Sequence, residues 1–304
     1  MASVQSRLIK FLFRRMNVFG GEDIDVARMR SRTDRVARKL PVHRKVSVSQ
    51  VDVGGVPSEW LIPEDTPDDR ALLYLHGGAW FLGSATLYRA YVSKLAYRCH
   101  SKALVINYRL APEHPFPAGL EDCITAYNHL LSSGIHPGKI IVAGDSAGGN
   151  LTLALLVALR DRGSPLPGAA VAISPATDLT GSGASHQNRA GADPVLGGSG
   201  GSNVVGWYAG EHKLDHPLIS PLFADLHGLP PILMHVGDDE ILLDDSTRFA
   251  EKARRAGVDT TLVVWPEMFH VFQIFTFLPE AKKANRQIAD FICTHQDGDS
   301  SRTS

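Results

Sequence analysis

The spacing of apolar positions changes along the chain, and the changes mark its parts. Residues 1–40 read as helical and Arg-rich, with no glycine after Gly21, and Pro41 stops them. Val46, Val48, Val51 and Val53 then approach strict alternation. Val56, Trp60 and Ile62 resume it after Gly54-Gly55, which predicts an antiparallel strand pair. From Arg70 the alternation gives way to a continuous apolar run at 71–75 and to further strand-length, mainly apolar segments at 103–106, 139–143, 169–173, 232–236 and 260–265. Runs of that length are expected of strands covered on both faces. Helix-length segments stand among them at 87–99, 120–131, 147–160, 244–255 and 279–293. The pattern predicts an α/β fold: a mostly parallel, twisted sheet with helices on both faces.

One stretch breaks this rhythm. Nearly sixty residues separate the fourth buried run from the fifth, and 181–210 is close to one third glycine, with Trp207 and Tyr208 near its end. An insertion of that length inside a compact domain is expected to form a lid or a binding loop. The polar segment 296–304 is expected to be disordered. These shifts divide the chain into an N-terminal region (1–44), a first core part (45–180), the insertion (181–216), a second core part (217–295) and the tail (296–304).

Composition narrows the classes. The chain has 304 residues, 44% hydrophobic and 21% charged, with a formal net charge of −1. That is ordinary globular usage, and no basic excess points to nucleic acid. Cys99, Cys123 and Cys293 are few and widely spaced, as expected of a reducing compartment such as the cytoplasm. None of the cysteines sits in a C-x-x-C or His-rich ligand pattern, so neither metal nor cofactor is expected. The apolar stretch around Leu8 to Phe13 is interrupted by Lys10 and is too short for a secretory signal or a membrane span. It is expected to pack over the active site, with contact to a membrane surface as the alternative.

Candidate chemistry lies where strands end. Gly144-Asp145-Ser146-Ala147-Gly148 follows a predicted strand and opens a predicted helix, the context that gives G-x-S-x-G its meaning. A sharp strand-to-helix bend exposes the serine, and the glycines remove the Cβ atoms that would clash. His76-Gly77-Gly78-Ala79-Trp80 follows the first buried strand. Acyl transfer builds charge on a carbonyl oxygen and requires preset N–H donors. The Gly77-Gly78-Ala79 run is the candidate source, with Gly78 and Ala79 preferred, joined by Ala147. A base and an acid should follow later in the chain. His270, just beyond the sixth buried strand, is the candidate base. For the acid, Asp238, Asp239, Glu240, Asp244 and Asp245 crowd after the fifth, and the residues alone leave the choice open. Trp80, Trp207 and Phe269 are candidates to line an apolar substrate pocket.

Three motifs together resemble the bacterial hormone-sensitive-lipase-like esterases: His76-Gly77-Gly78, the run Tyr108 to Pro117, and Gly144 to Gly149. The resemblance covers roughly residues 45–295. It implies an α/β-hydrolase fold with a small helical cap built from the N-terminal helices and the insertion. It implies a carboxylesterase acting on short- to medium-chain acyl esters through Ser146, His270 and an acid. Where most of the family has Asp-Pro-Leu, this chain has Glu240-Ile241-Leu242. The frame favours Glu240, as in a branch of the family that uses Glu, and Asp238 and Asp239 stay as alternatives. Ala79 replaces the commoner third glycine, yet still supplies an N–H. Prolines fix the loop 108–117, in which Arg109 is expected to pair with Glu113. An amide or lactone hydrolase would share every one of these residues. A non-catalytic receptor of this type would lack the histidine. The last strand could offer an edge for pairing with a second copy.

Overall fold

The computed structural model describes residues 2–16, 24–198 and 201–297. The N-terminal helical stretch is two helices, α1 (Val4–Met16) and α2 (Val26–Ala37), the latter capped by the Asp25 side chain on the Arg28 N–H. Then come β1 (Val46–Val53), β2 (Val56–Pro63), β3 (Ala71–Leu75), α3 (Ala85–Cys99), β4 (Lys102–Ile106), α4 (Ala118–Ser132), β5 (Ile140–Asp145), α5 (Ala147–Asp161) and β6 (Ala169–Ile173). The insertion holds two short helices, α6 (Ser185–Asn188) and α7 (Gly201–Ala209). The chain closes with β7 (Ile232–Gly237), α8 (Leu243–Arg255), β8 (Thr260–Trp265) and α9 (Pro279–Asp297).

The eight strands form one sheet in the order β1-β2-β4-β3-β5-β6-β7-β8. β1 and β2 pair antiparallel with each other, β2 is antiparallel to β4, and the remaining pairs are parallel. Period-two side-chain alternation sends Leu73, Leu75 and Val142 to one face, beneath α4 and α5. It sends Leu72, Tyr74 and Ile141 to the other, beneath α3 and α9. Both sets are fully buried, which is why these strands read as unbroken apolar runs. α5 is buried at every position from Ala147 to Leu159, so its sequence has almost no polar face. β8 is an edge strand, paired among the described residues with β7 alone.

Two expectations are corrected. Arg109 does not pair with Glu113. Its guanidinium meets Asp122 on α4 at 2.7 Å, because the loop turns Arg109 back over that helix, and Glu113 instead pairs with Arg30 of α2 at 2.8 Å. Order also does not end at residue 295. Gln296 and Asp297 complete α9, and buried Gln296 donates through Nε2 to Ala71 O and Ser101 Oγ, each at 3.1 Å. The remainder of the tail, 298–304, lies outside the described residues.

Candidate active site

Ser146 stands at the bend between β5 and α5 with φ 54° and ψ −119°, a conformation disfavoured for a residue with a side chain. Its neighbours hold it there. The Ser146 N–H donates to Ile173 O at 2.8 Å, and its carbonyl accepts from the Asn150 N–H at 2.9 Å. The bend needs glycine on the helix side. A Cβ on Gly148 would lie 2.0 Å from Leu75 O. Local crowding at this turn thus dictates the small residues that make the motif readable.

His270 lies in the loop after β8, and its Nε2 is 2.9 Å from Ser146 Oγ. Its Nδ1 is 2.8 Å from Glu240 Oε2. Glu240 is fully buried, and its other oxygen accepts from Ser174 Oγ at 2.7 Å and from the Gly237 N–H. Burial raises the Glu240 carboxyl above the ordinary glutamate value, against the opposing pull of His270. Burial works against a charged His270. The hydrogen bond and charge of Glu240 outweigh it and raise the imidazole above its usual 6.5.

The other carboxylates of the cluster have separate tasks. Asp239 accepts from Lys10 Nζ of α1 at 2.7 Å. Asp244 accepts from the Ser185 N–H at 2.9 Å. Asp245 accepts from the N–H groups of Thr177 and Asp178 and meets His186 Nε2 at 2.9 Å. Glu240 is the member of the cluster that reaches His270.

The donors beside Ser146 are also sorted. Gly77 is corrected: its N–H already donates to Asp145 Oδ1 and to Tyr88 Oη, each at 3.1 Å, and so is spent within the protein. Gly78 uses its carbonyl for the N–H groups of Phe81 and Leu82. Its own N–H and those of Ala79 and Ala147 have no protein acceptor among the described residues. Ala79 and Ser146 line the same cavity.

That cavity measures about 290 Å³ and is mostly apolar, with Trp80, Leu179, Leu196, Val204, Ile241 and Leu242 in its wall. Trp80 lines it with its ring stacked on Tyr208, the centroids 4.4 Å apart. Phe269 and Trp207 do not line it, and both expectations are corrected. Phe269 is fully buried among Phe13, Phe272 and Phe275, because the turn before His270 points its ring beneath the loop. Trp207 packs edge-on against Phe81, on the side of α7 that faces α2.

Three supporting residues escaped the reading of the sequence. Ser174 fixes Glu240 from the end of β6, at φ 46°. Asp145 accepts from Tyr74 Oη at 2.9 Å and Tyr88 Oη at 2.8 Å beneath the glycine run, and burial pushes its carboxyl up to about 6. Asp193 accepts from the N–H groups of Val195 (2.9 Å), Leu196 (3.0 Å) and Ile241 (3.0 Å), tying the insertion to the residue after Glu240. The turn-forming pair Asp193-Pro194 was the one available signal.

Comparison with known proteins agrees with this architecture. A family model described as alpha/beta hydrolase fold matches residues 72–274. An acetyl-hydrolase of Streptomyces hygroscopicus is 43% identical over 245 residues, 80% of this chain and 82% of the relative. An esterase of Acinetobacter venetianus is 37% identical over 85% of this chain and 86% of its own length. Among solved structures, EstE5 superposes with a TM-score of 0.93 at 39% identity, covering 97% of this chain and all of that one. An esterase from the bacterial hormone-sensitive lipase family does so with a TM-score of 0.91 at 38% identity, with the same coverage. The chain belongs to the α/β-hydrolase fold family, among the hormone-sensitive-lipase-like carboxylesterases.

Proposed function

We propose that this chain hydrolyses carboxylic esters of short to medium acyl length, with Ser146 as nucleophile, His270 as base and Glu240 as the acid that orients it. The observation that carries the reading is the unbroken line Ser146 Oγ, His270 Nε2, His270 Nδ1, Glu240 Oε2, with links of 2.9 and 2.8 Å. His270 Nε2 takes the hydroxyl proton as Oγ bonds to the ester carbonyl carbon. The resulting oxyanion accepts from the N–H groups of Gly78, Ala79 and Ala147. Its collapse breaks the bond to the alkoxy oxygen, which leaves as alcohol with the proton from Nε2. Water, deprotonated by His270, then attacks the acyl-serine. The acid departs, and the proton returns to Oγ. The buried Glu240 carboxylate stabilises the transient imidazolium and fixes its tautomer.

The apolar cavity of about 290 Å³ sits at the small end of ligand pockets, which supports short and medium acyl groups. The acetyl-hydrolase relative points the same way. Three free thiols fit the cytoplasm as the place of action. A fluorophosphonate should add once, on the peptide containing Ser146, and Ser146→Ala should lose both labelling and turnover at unchanged melting temperature. Turnover kept by Ser146→Ala would end the proposal. With nitrophenyl esters of rising chain length, rates should peak between acetate and octanoate. A peak at palmitate would refute the acyl preference.

A further inference from the structure

α1 has two apolar faces, and one of them covers nothing among the described residues. Its inner face turns Ile9, Lys10 and Phe13 to the protein. Phe13 meets the rings of Phe269 and Phe275, and Lys10 pairs with Asp239. Val4, Leu8, Phe11 and Leu12 fall on the opposite side, at the i, i+4, i+7, i+8 spacing of one helical stripe. They are 77, 57, 51 and 48% exposed. The Arg15 guanidinium lies 4.5 Å over the Phe11 ring, and exposed Arg7 and Arg14 border the stripe.

Charge is distributed to match. Residues 1–40 hold ten Lys and Arg against four Asp and Glu, a net +6, in a chain of net −1, so the remainder is net −7. Arg28, Arg32 and Arg35 share an exposed side of α2, and none of them meets a carboxylate among the described residues. Both helices rest on loops at the same edge of the sheet. α1 is held at Asp239 and Glu267, after β7 and β8. Through Arg30, α2 is held at Phe81 and Ala111, after β3 and β4. Ser146 opens at that edge.

We propose that the outer face of α1, with the cations of α2, docks on an anionic lipid bilayer. An apolar stripe bordered by arginines is what lets a helix lie in the headgroup layer. The excess of cations on this side, over an anionic body, turns it toward a negative leaflet. A symmetric pair of chains meeting through this face would oppose the arginines of one copy to those of the other, which disfavours a second copy as its occupant. At 13 residues α1 is too short to cross a bilayer, so the attachment is peripheral and reversible. Its consequence for substrate, esters presented at the lipid surface, rests on the ester-hydrolase reading; the binding itself does not.

The test is co-sedimentation of the full chain with vesicles of phosphatidylcholine alone or mixed with phosphatidylglycerol. The chain should pellet with the mixed vesicles only, and roughly 1 M salt, where charges are screened beyond about 3 Å, should release it. Leu8→Glu with Phe11→Glu should abolish pelleting. As a second variant that leaves the apolar stripe intact, Arg32→Glu with Arg35→Glu should lower partitioning about tenfold or more. Both should hydrolyse nitrophenyl acetate at the wild-type rate, which separates failure of docking from failure of the ester-hydrolase reading. No pelleting with phosphatidylglycerol, or pelleting untouched by either variant, overturns the proposal. So does a wild-type dimer in light scattering that Leu8→Glu with Phe11→Glu converts to monomer, since the face would then be a self-association surface.

Discussion

The two ends of the proposed relay are held by different physics. Ser146 is held by the backbone: a strand, a bend at positive φ and a buried helix leave it no other place. Glu240 is held by side chains gathered from three loops, namely Ser174 after β6, Asp193 from the insertion through Ile241, and His270 itself. The first arrangement shows as a short contiguous motif, 144–148, and is enforced by steric contact with β3. The second is distributed, and its members sit up to 66 residues from Glu240. A nucleophile made by crowding tolerates almost no change nearby. An acid held by a polar network depends on partners from several segments, and any one of them can be changed with Ser146 left in place.

The sharpest break comes at the crowded end. Gly148→Ala should cost about 3 kcal/mol or more of stability and all measurable turnover, read by thermal melting and ester hydrolysis, because the new Cβ meets the Leu75 carbonyl. Glu240→Gln should keep the fold while lowering kcat about a thousandfold or more, since the amide favours the wrong imidazole tautomer. The same pair sets the pH response. His270 must be neutral to accept the serine proton, and its pKa is raised, so kcat/KM should climb with pH through a midpoint above 6.5. In Glu240→Gln that midpoint should fall; an unmoved midpoint would detach Glu240 from the base. Asp193→Ala should cost up to about a hundredfold in kcat while Ser146 still accepts a fluorophosphonate, because it frees the loop beside Glu240 and leaves the nucleophile alone. Asp239→Ala should be mildest, at about 1 kcal/mol of stability and little loss of rate, because its partner is Lys10 rather than His270.

The same contrast explains what could be read from letters alone. The strands and α5 were visible because burial on both faces leaves continuous apolar runs. Ser146 was visible because its bend demands specific neighbours in a row. The carboxylate cluster could not be resolved from its own residues, since the partners that sort it, His270, Lys10, Ser185 and Thr177, come from remote segments. Phe269 and Trp207 misled for a related reason. An aromatic beside a catalytic loop has no pattern that tells ring-in from ring-out, and here Phe13 of α1 and Phe81 of the glycine loop claim them. Gly77 looked equivalent to Gly78 until Asp145 and Tyr88 took its N–H.

The Gln296 side chain of α9 gathers Ala71 and Ser101, at the entries to β3 and β4. Ile288 and Ile292 cover the same side of the sheet as Val92 and Leu95, which are made two hundred residues earlier. A ribosome therefore extrudes the central strands long before their cover exists. That part of the sheet face must wait, oily and unshielded, until α9 has been made. Newly made chains should be most vulnerable to aggregation and to proteases in that interval, and losing α9 should strand the protein there.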